Sequence, residues 1–537
     1  MLSSVIMSNV TWSATDEALL KDINLTFGAE RTGLVGRNGV GKSSLLKLIC
    51  GELLPHSGTV LVNGSVGFLR QIVQIESQLT VADLFGVASA LATLNRIERG
   101  DANDDDFALA DWTLESRIAS SLADLKLDVA MNTPLVSLSG GQRTRAALAA
   151  LIFDKPSFVL LDEPTNNLDG EGRNAVIDFL SHWRSGAIVV SHDRDLLDTM
   201  DAVVELTSLG STRYGGNWSY YQERKAVELS ASKRELNEAE RRLIDVDRAS
   251  QAAAERKTRK DNAGKSKRAK GDAPNAALNS MRDRSEKTGA ENARLAERRR
   301  NQAQADVVAA RERIEVLQPF AVALASTQLP ANKTVLALEL VSAGYDPLCP
   351  VVQDLSLKIV GPERIAIIGP NGSGKSTILS VIGGGLKPSS GIVKVFTPFA
   401  MLDQRMSLLD PSATIRDNFR RINVDADENV CRAALARFKF RADAALLLVS
   451  SLSGGQMIRA GLACVLGGKH PPPLLILDEP TNHLDVESVE TVERGLCAYD
   501  GALLVVSHDA RFLDAIGVNR TIAMGARPRG SLPRHRV

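Results

Sequence analysis

Two copies of one short pattern hold the residues best suited to chemistry. GRNGVGKSS begins at Gly36 and GPNGSGKST at Gly369. Glycines in such a loop let the backbone turn tightly, so that its N–H groups face a polyphosphate at the start of a helix. Gly36, Asn38, Gly39 and Gly41 with Lys42, Ser43 and Ser44 make the first candidate cradle. Gly369, Asn371, Gly372 and Gly374 with Lys375, Ser376 and Thr377 make the second. Lys42 and Lys375 are expected to reach the terminal phosphates, and Ser43 and Ser376 to ligate magnesium. Each copy is followed by an Asp-Glu pair: Asp162 and Glu163 end FVLLDE, and Asp478 and Glu479 end LLILDE. The aspartates are expected in the magnesium shell, and the glutamates to polarise the water that attacks the last phosphate. VSHD recurs at Val190 and Val506, offering His192 and His508 as γ-phosphate contacts. Gln71 and Gln404 stand where a chain leaving a strand reaches the metal and the attacking water. Blander readings exist for each: a connector turn, helix-starting acids, a structural histidine. Ordered repetition of the whole set weighs against them. The AGKS around Gly264 is a decoy, because the position five before it is Arg259.

These side chains need a scaffold that brings them to one edge. Strand-like runs, RTGLVG and RIAIIG, lead into the two loops, and helical patterns, SLLKLI and TILSVI, follow them. The apolar runs before the Asp-Glu pairs and before VSHD read as buried parallel strands, whose polar ends emerge at the carboxyl edge of a sheet, where open α/β folds bind ligands. LSGGQ recurs at Leu138 and Leu452 in the same order. The offset between copies is 333 residues at the loops and at Gln71/Gln404, but 314 at LSGGQ and 316 at the last two motifs. The first copy therefore holds 19 extra residues between Gln71 and Leu138, including the acidic run DANDDDFALADW, which reads equally as an arm or a solvent loop. Trp12 and Tyr345, each ahead of its loop, are candidates for stacking on a purine.

Composition limits the alternatives. The 537 residues carry 64 basic and 64 acidic side chains, so overall charge gives no general case for nucleic acid or membrane. The longest apolar runs are strand-length and end in charge, and MLSSVIMSNV lacks the features of a secretory signal, which predicts a cytoplasmic protein. Five scattered cysteines, without a CxxC pair, are expected as small core residues in a reducing compartment.

The order of phosphate loop, Gln, LSGGQ, LDEP and SHD resembles the ATP-binding cassette superfamily, and the resemblance covers both halves of the chain. LSGGQ is the discriminating element. The resemblance implies an α/β fold: two tandem P-loop ATP-binding cassettes, each with a parallel-sheet core and a helical subdomain. It further implies ATP as substrate, Mg2+ as cofactor, and a head-to-tail sandwich with two composite sites. One would join Lys42, Ser43, Gln71, Asp162, Glu163 and His192 to Ser453, Gly454 and Gly455. The other would join Lys375, Ser376, Gln404, Asp478, Glu479 and His508 to Ser139, Gly140 and Gly141. DEPTNHLD at Asp478 is similar to the F subfamily, soluble tandem ATPases that include translation factors and antibiotic-resistance proteins. The first copy departs, with Asn167 where His483 stands in the second. Since Glu163 and Glu479 are both present, neither site is expected to be dead.

The segment between the copies is of another kind. From 222 to 318 Ala, Glu, Lys and Arg dominate; Leu229, Leu236 and Leu243 fall at heptad spacing, and Val307, Ala310, Ile314 and Leu317 repeat an apolar stripe. An antiparallel helical hairpin is expected, with its far end near 262–277 and Pro319 ending the return. The domains are then a cassette over 1–221, the coiled-coil hairpin over 222–318, a second cassette over 319–520 and a short basic tail over 521–537. RKTRKDNAGKSKRAKG, 256–271, holds eight basic residues against one Asp: Arg256, Lys257, Arg259, Lys260, Lys265, Lys267, Arg268 and Lys270. A solvated charged coil is the plain reading. Against it, 251–300 carries 15 basic and 7 acidic residues, an excess that suits phosphate-backbone binding. Few aromatics lie there, which points to backbone or shape recognition of folded RNA. The F-subfamily resemblance names the partner as the ribosome, through rRNA and peptidyl-site tRNA, with cassettes pairing within one monomeric chain. An energising subunit of a membrane transporter and a DNA-associated cassette ATPase are the alternatives.

Overall fold

The computed structural model describes residues 3–14, 18–69, 79–166, 168–208, 210–268, 294–310, 324–346, 349–482 and 484–525. It divides into two compact units, one of Met1–Ser219 with Phe320–Val537 and one of Tyr220–Pro319.

The first unit contains the same α/β layout twice. In the first copy a six-stranded sheet runs in the order Val66–Leu69, Phe158–Asp162, Gly186–Val190, Arg31–Val35, Ala202–Thr207, Gly210–Gly215. Its pairings are parallel up to Ala202–Thr207, and the last strand is antiparallel. In the second copy the order is Phe399–Leu402, Leu474–Asp478, Ala502–Val506, Arg364–Ile368, Arg520–Ala523, all parallel. The central strands FVLLD, GAIVV, LLILD and ALLVV are buried at every position, because helices cover both faces of a parallel sheet. A three-stranded antiparallel sheet closes each phosphate-loop helix: Ala18–Phe27, Ser4–Ser13 and Ser57–Asn63 in the first copy, Val352–Val360, Thr334–Ala343 and Ser390–Val395 in the second. Leu45, Leu46, Leu48 and Ile49 of the first loop helix pack into this core beside Val5, Phe27 and Phe158. Ile378, Leu379, Val381 and Ile382 do the same beside Val335, Ile359 and Leu474.

Helical subdomains lie between the loop strands and the Asp-Glu strands. The 19-residue surplus of the first copy is helical: Ala88–Arg99 is followed by Asp104–Leu109, which places the acidic run in a short helix rather than an open loop. Asn103 accepts from the Asp106 N–H at 2.9 Å and Asp106 accepts from the Asn103 N–H at 3.1 Å, a capping box that uses one of the acids to start the helix. Asp106 also pairs with Arg96 of the preceding helix, so it is buried and neutralised.

The cysteines divide. Cys431 and Cys464 are buried, whereas Cys349 and Cys497 are exposed, contrary to the expectation of core cysteines throughout; the Cys497 thiol donates to the Ala515 carbonyl at a helix end.

The second unit is helical. The helix Trp218–Arg268, whose first two residues belong to the first unit, spans 51 residues and continues through Gly264. At 1.5 Å per residue that is roughly 75 Å. Leu229, Leu236, Leu243 and Val246 are half-buried and Ala239 is buried, as the heptad spacing predicts. In the helix 294–310 Ala303, Val307 and Ala310 are buried, and Arg300 Nε pairs with Asp247 Oδ1 at 3.0 Å. Residues 262–268, expected at the far end of the hairpin, continue the helix, whereas the rest of that end to 277, together with Ile314, Leu317, Pro319 and the tail beyond 525, lies outside the described residues. At the root of the long helix, the Ser219 N–H and hydroxyl both donate to Asp198 Oδ1 at 2.9 Å.

Candidate nucleotide sites at the paired cassettes

Each phosphate loop ends at a glycine that only glycine can occupy. Gly41 and Gly374 hold φ of 104° and 95° at the helix start. A Cβ at Gly41 would lie 2.8 Å from Leu20 Cδ2, and one at Gly374 would lie 2.7 Å from Val352 Cγ2. The helices Lys42–Ile49 and Lys375–Ile382 follow at once. Lys42 Nζ donates to the carbonyls of Gly36 at 2.7 Å and Arg37 at 3.1 Å; Lys375 Nζ donates to Gly369 at 2.8 Å and Pro370 at 3.1 Å. Both ammonium groups are buried, and burial pulls their pKa values below the ordinary lysine range despite the nearby carboxylates.

The Asp-Glu pairs stand at the carboxyl ends of their strands. Burial raises the Asp162 and Asp478 carboxyls above the usual range, opposed in part by hydrogen bonds from Ser43 and Ser376. The serine and aspartate that sequence assigned to one metal are thus adjacent in both copies. Among the described residues, Asp478 Oδ1 is buried without a hydrogen-bond partner.

Glu163 and Glu479 adopt left-handed backbone, φ 51° and 49°, which a non-glycine residue enters only at a cost. Their backbone N–H groups donate to Val190 O and Val506 O, each at 2.9 Å, so the strand carrying the histidine fixes the turn of the glutamate. His192 Nε2 lies 3.1 Å from Glu163 Oε1, and His508 Nε2 lies 3.4 Å from Glu479 Oε1, the second too poorly aligned to count as a hydrogen bond. Desolvation dominates both pairs. It pushes Glu479 up to about 8 and His508 down to about 4, and moves Glu163 and His192 in the same directions. Without nucleotide, burial therefore favours the protonated carboxyl and the uncharged imidazole in both pairs.

Ser139 and Ser453 of the LSGGQ copies begin the helices Gly140–Phe153 and Gly454–Leu466. Each serine accepts from the N–H of the motif's glutamine, and each glutamine accepts from the serine N–H at 2.9 Å. The fifth residue of the motif, Gln142 or Gln456, is thus part of a capping box.

The cassettes meet across these motifs. A cleft of about 350 Å3 is lined by Glu163, His192, Glu479, His508 and Gln404, with Gly140 and Asn371 from opposite cassettes. The Asn38 N–H donates to Asp485 Oδ2 at 2.8 Å, and the Asn371 N–H to Asp169 Oδ2 at 3.4 Å. Asp485 also favours charge on Lys42 and His192, and Asp169 on Lys375 and His508. Each loop is therefore met by an aspartate of the other copy. Sequence reading missed both, although they close the duplicated DEPTNNLD and DEPTNHLD. Arg194 pairs with Glu493 at 2.9 Å, with both side chains mostly buried, and Arg511 pairs with Asp195 at 2.5 Å and with Asp198.

Of the other expected site residues, Trp12 packs partly against the first core cluster, while Tyr345 is exposed at 76%. Gln71, Asn167, His483 and Lys270 lie outside the described residues, as do the side chains of Lys257, Lys260, Lys265, Lys267 and Arg268. Arg256 and Arg259 are exposed on the long helix.

The comparisons agree with this geometry. The family model described as ABC transporter matches residues 20–166 and 352–482. The tylosin resistance ATP-binding protein TlrC of Streptomyces fradiae is 32% identical, over 95% of this chain and 95% of its own. The energy-dependent translational throttle protein EttA of Mycobacterium tuberculosis is 30% identical, over 95% of this chain and 89% of its own. The ABC transporter F family member 5 of Arabidopsis thaliana is 29% identical, over 97% of this chain and 75% of its own. Two cassettes with paired phosphate loops, and relatives matching along nearly the whole chain, make this protein an ATPase of the ATP-binding cassette family, in its F subfamily.

Proposed function

We propose that the protein is a nucleotide-timed clamp that acts on the ribosome, closing its cassettes on two ATP molecules and presenting the basic helical hairpin to rRNA and peptidyl-site tRNA. The observation that carries the clamp is the crossed contact, in which the Asn38 and Asn371 N–H groups meet Asp485 and Asp169 of the opposite cassette. Nucleotide placed on either loop then lies at the seam, so binding favours closure and loss of the last phosphate favours opening.

The loop N–H groups with Lys42 or Lys375 would hold the phosphates, Ser139 to Gly141 and Ser453 to Gly455 would cover the nucleotide from across the seam, and Trp12 or Tyr345 would take the base. The donor set suits a hard cation: a serine hydroxyl and a carboxylate in each copy, with an unpartnered buried oxygen on Asp478. Ser43 and Asp162, or Ser376 and Asp478, would hold magnesium, with Gln71 or Gln404 alongside. When bound, the ion would neutralise developing phosphate charge. Glu163 and Glu479 would accept the proton of the attacking water, and His192 and His508 would orient the glutamate and the γ-phosphate.

For the ribosomal role, the support is the basic excess in 251–300, the exposure of Arg256 and Arg259, and relatives named for translational throttling and tylosin resistance. Among the described residues no helix is long and apolar enough to cross a membrane, and we place the protein in the cytoplasm. The test uses Glu163→Gln with Glu479→Gln, sedimented with cell extract through sucrose with and without ATP, beside the same variant carrying Arg256→Glu and Arg259→Glu. The expected result is ATP-dependent co-migration with ribosomes that weakens on charge reversal. Protein that stays at the top of the gradient in every lane, or follows membranes or DNA, refutes the ribosomal reading.

A further inference from the structure

The duplication supplies an internal control, because every contact across the seam has a counterpart that symmetry would predict. At the first loop, Arg37 makes a forked ion pair with Glu487 of the second cassette, Nε to Oε2 at 2.6 Å and Nη2 to Oε1 at 3.0 Å. Lys439 Nζ reaches the same carboxylate at 2.6 Å, and the neighbouring Asn38 N–H lies 2.8 Å from Asp485. The counterparts of Arg37 and Glu487 are Pro370 and Glu171. Proline has neither charge nor N–H, so this clasp cannot form at the second loop. Lys439 and Glu487 share a cassette; Lys126, which like Lys439 leaves its helix through left-handed backbone, pairs with Asp178 of its cassette. Across that seam the Asn371 N–H to Asp169 distance is 3.4 Å, longer than the 2.8 Å from Asn38 N–H to Asp485, and Arg173 of the first cassette faces His508 and Asp509 there.

We propose that the two nucleotide sites open unequally: the site on Lys42 and Ser43 stays closed longer than the site on Lys375 and Ser376, and Arg37 is the positioning residue that sets the difference. Isolated exposed ion pairs contribute little, but a forked guanidinium–carboxylate pair shared with a second cation is the arrangement in which such pairs do contribute. Arg194–Glu493 and Arg511–Asp195 join the cassettes independently of either loop, so the seam can part at the second loop while the first remains clasped.

The experiment uses the full chain and a fluorescent, non-hydrolysable ATP analogue with magnesium, following release after dilution into excess ATP. Release is expected in two phases of similar amplitude, and Lys375→Ala should leave only the slow one. Arg37→Leu should speed the slow phase about threefold to tenfold and leave the fast phase within about twofold, with Arg37→Lys intermediate. Raising salt should speed the slow phase of the unaltered chain but not that of Arg37→Leu, a dependence that a merely structural role of the side chain would not produce. Single-phase release in the unaltered chain, equal acceleration of both phases by Arg37→Leu, or a salt effect that survives the substitution would overturn the proposal. Should Arg37→Leu fail to fold, Arg37→Lys and the salt series on the unaltered chain decide it.

Discussion

Replacing Glu479 by Gln should stabilise the nucleotide-free protein, and by more as pH rises. The carboxyl is 9% exposed, and burial lifts its pKa from an ordinary 4.5 to about 8. Between those values the folded state binds a proton that the unfolded chain gives up, so stability is full below pH 4.5 and is lost as pH rises through 8. With 1.36 kcal/mol per pKa unit, the cost of the ionisable side chain is about 1 kcal/mol at pH 5 and about 4 kcal/mol at pH 7.5. Glutamine keeps the shape and cannot ionise. Urea unfolding of both proteins without nucleotide, at pH 5 and pH 7.5, measures the gain directly. A midpoint difference that grows between the two pH values fits the burial argument. Equal gain at both, or a variant weaker than its parent at pH 7.5, would refute it.

The same burial should appear in catalysis. In Glu163→Gln, where the second site alone retains its glutamate, kcat/KM for ATP should climb with pH towards about 8; a profile flat from 6 to 9 would remove Glu479 as the base. Gly41→Ala should abolish nucleotide binding at the first loop, read by analogue titration, because φ of 104° and Leu20 leave no room for a methyl group. Asn103→Ala removes the cap of Asp104–Leu109 and should cost that helix about 1 kcal/mol, seen as faster protease cleavage within the inserted segment. Ala239→Glu puts a charge on the buried stripe of the long helix and should lower hairpin helicity by circular dichroism without changing analogue affinity.

Much of this site was legible because it is written twice. The loops, the Asp-Glu pairs and the histidines sit at ends of apolar strands, and strand ends show as changes from hydrophobic to polar residues. The crossed contacts were not legible in the same way. Asp169 and Asp485 lie inside the repeated motif, yet only the pairing of the two copies brings them to the opposite loop. Arg37 is a single difference from Pro370 whose meaning depends on Glu487, 450 residues away. Left-handed backbone at Glu163 and Glu479 leaves no compositional trace, since glycine, the usual marker, is absent there. The acidic run read equally as arm or loop because aspartates disfavour helix interiors; at the first turn, capped by Asn103, they favour the helix.

The carboxylate of Asp198 is shared between the start of the long helix and the second cassette. The first turn of the helix is tied to Asp198 Oδ1, while the other oxygen of that carboxylate is gripped by Arg511 of the second cassette, three residues beyond His508. One side chain thus fastens two partners at once, and its loss would release the Ser219 N–H and hydroxyl together with the Arg511 guanidinium.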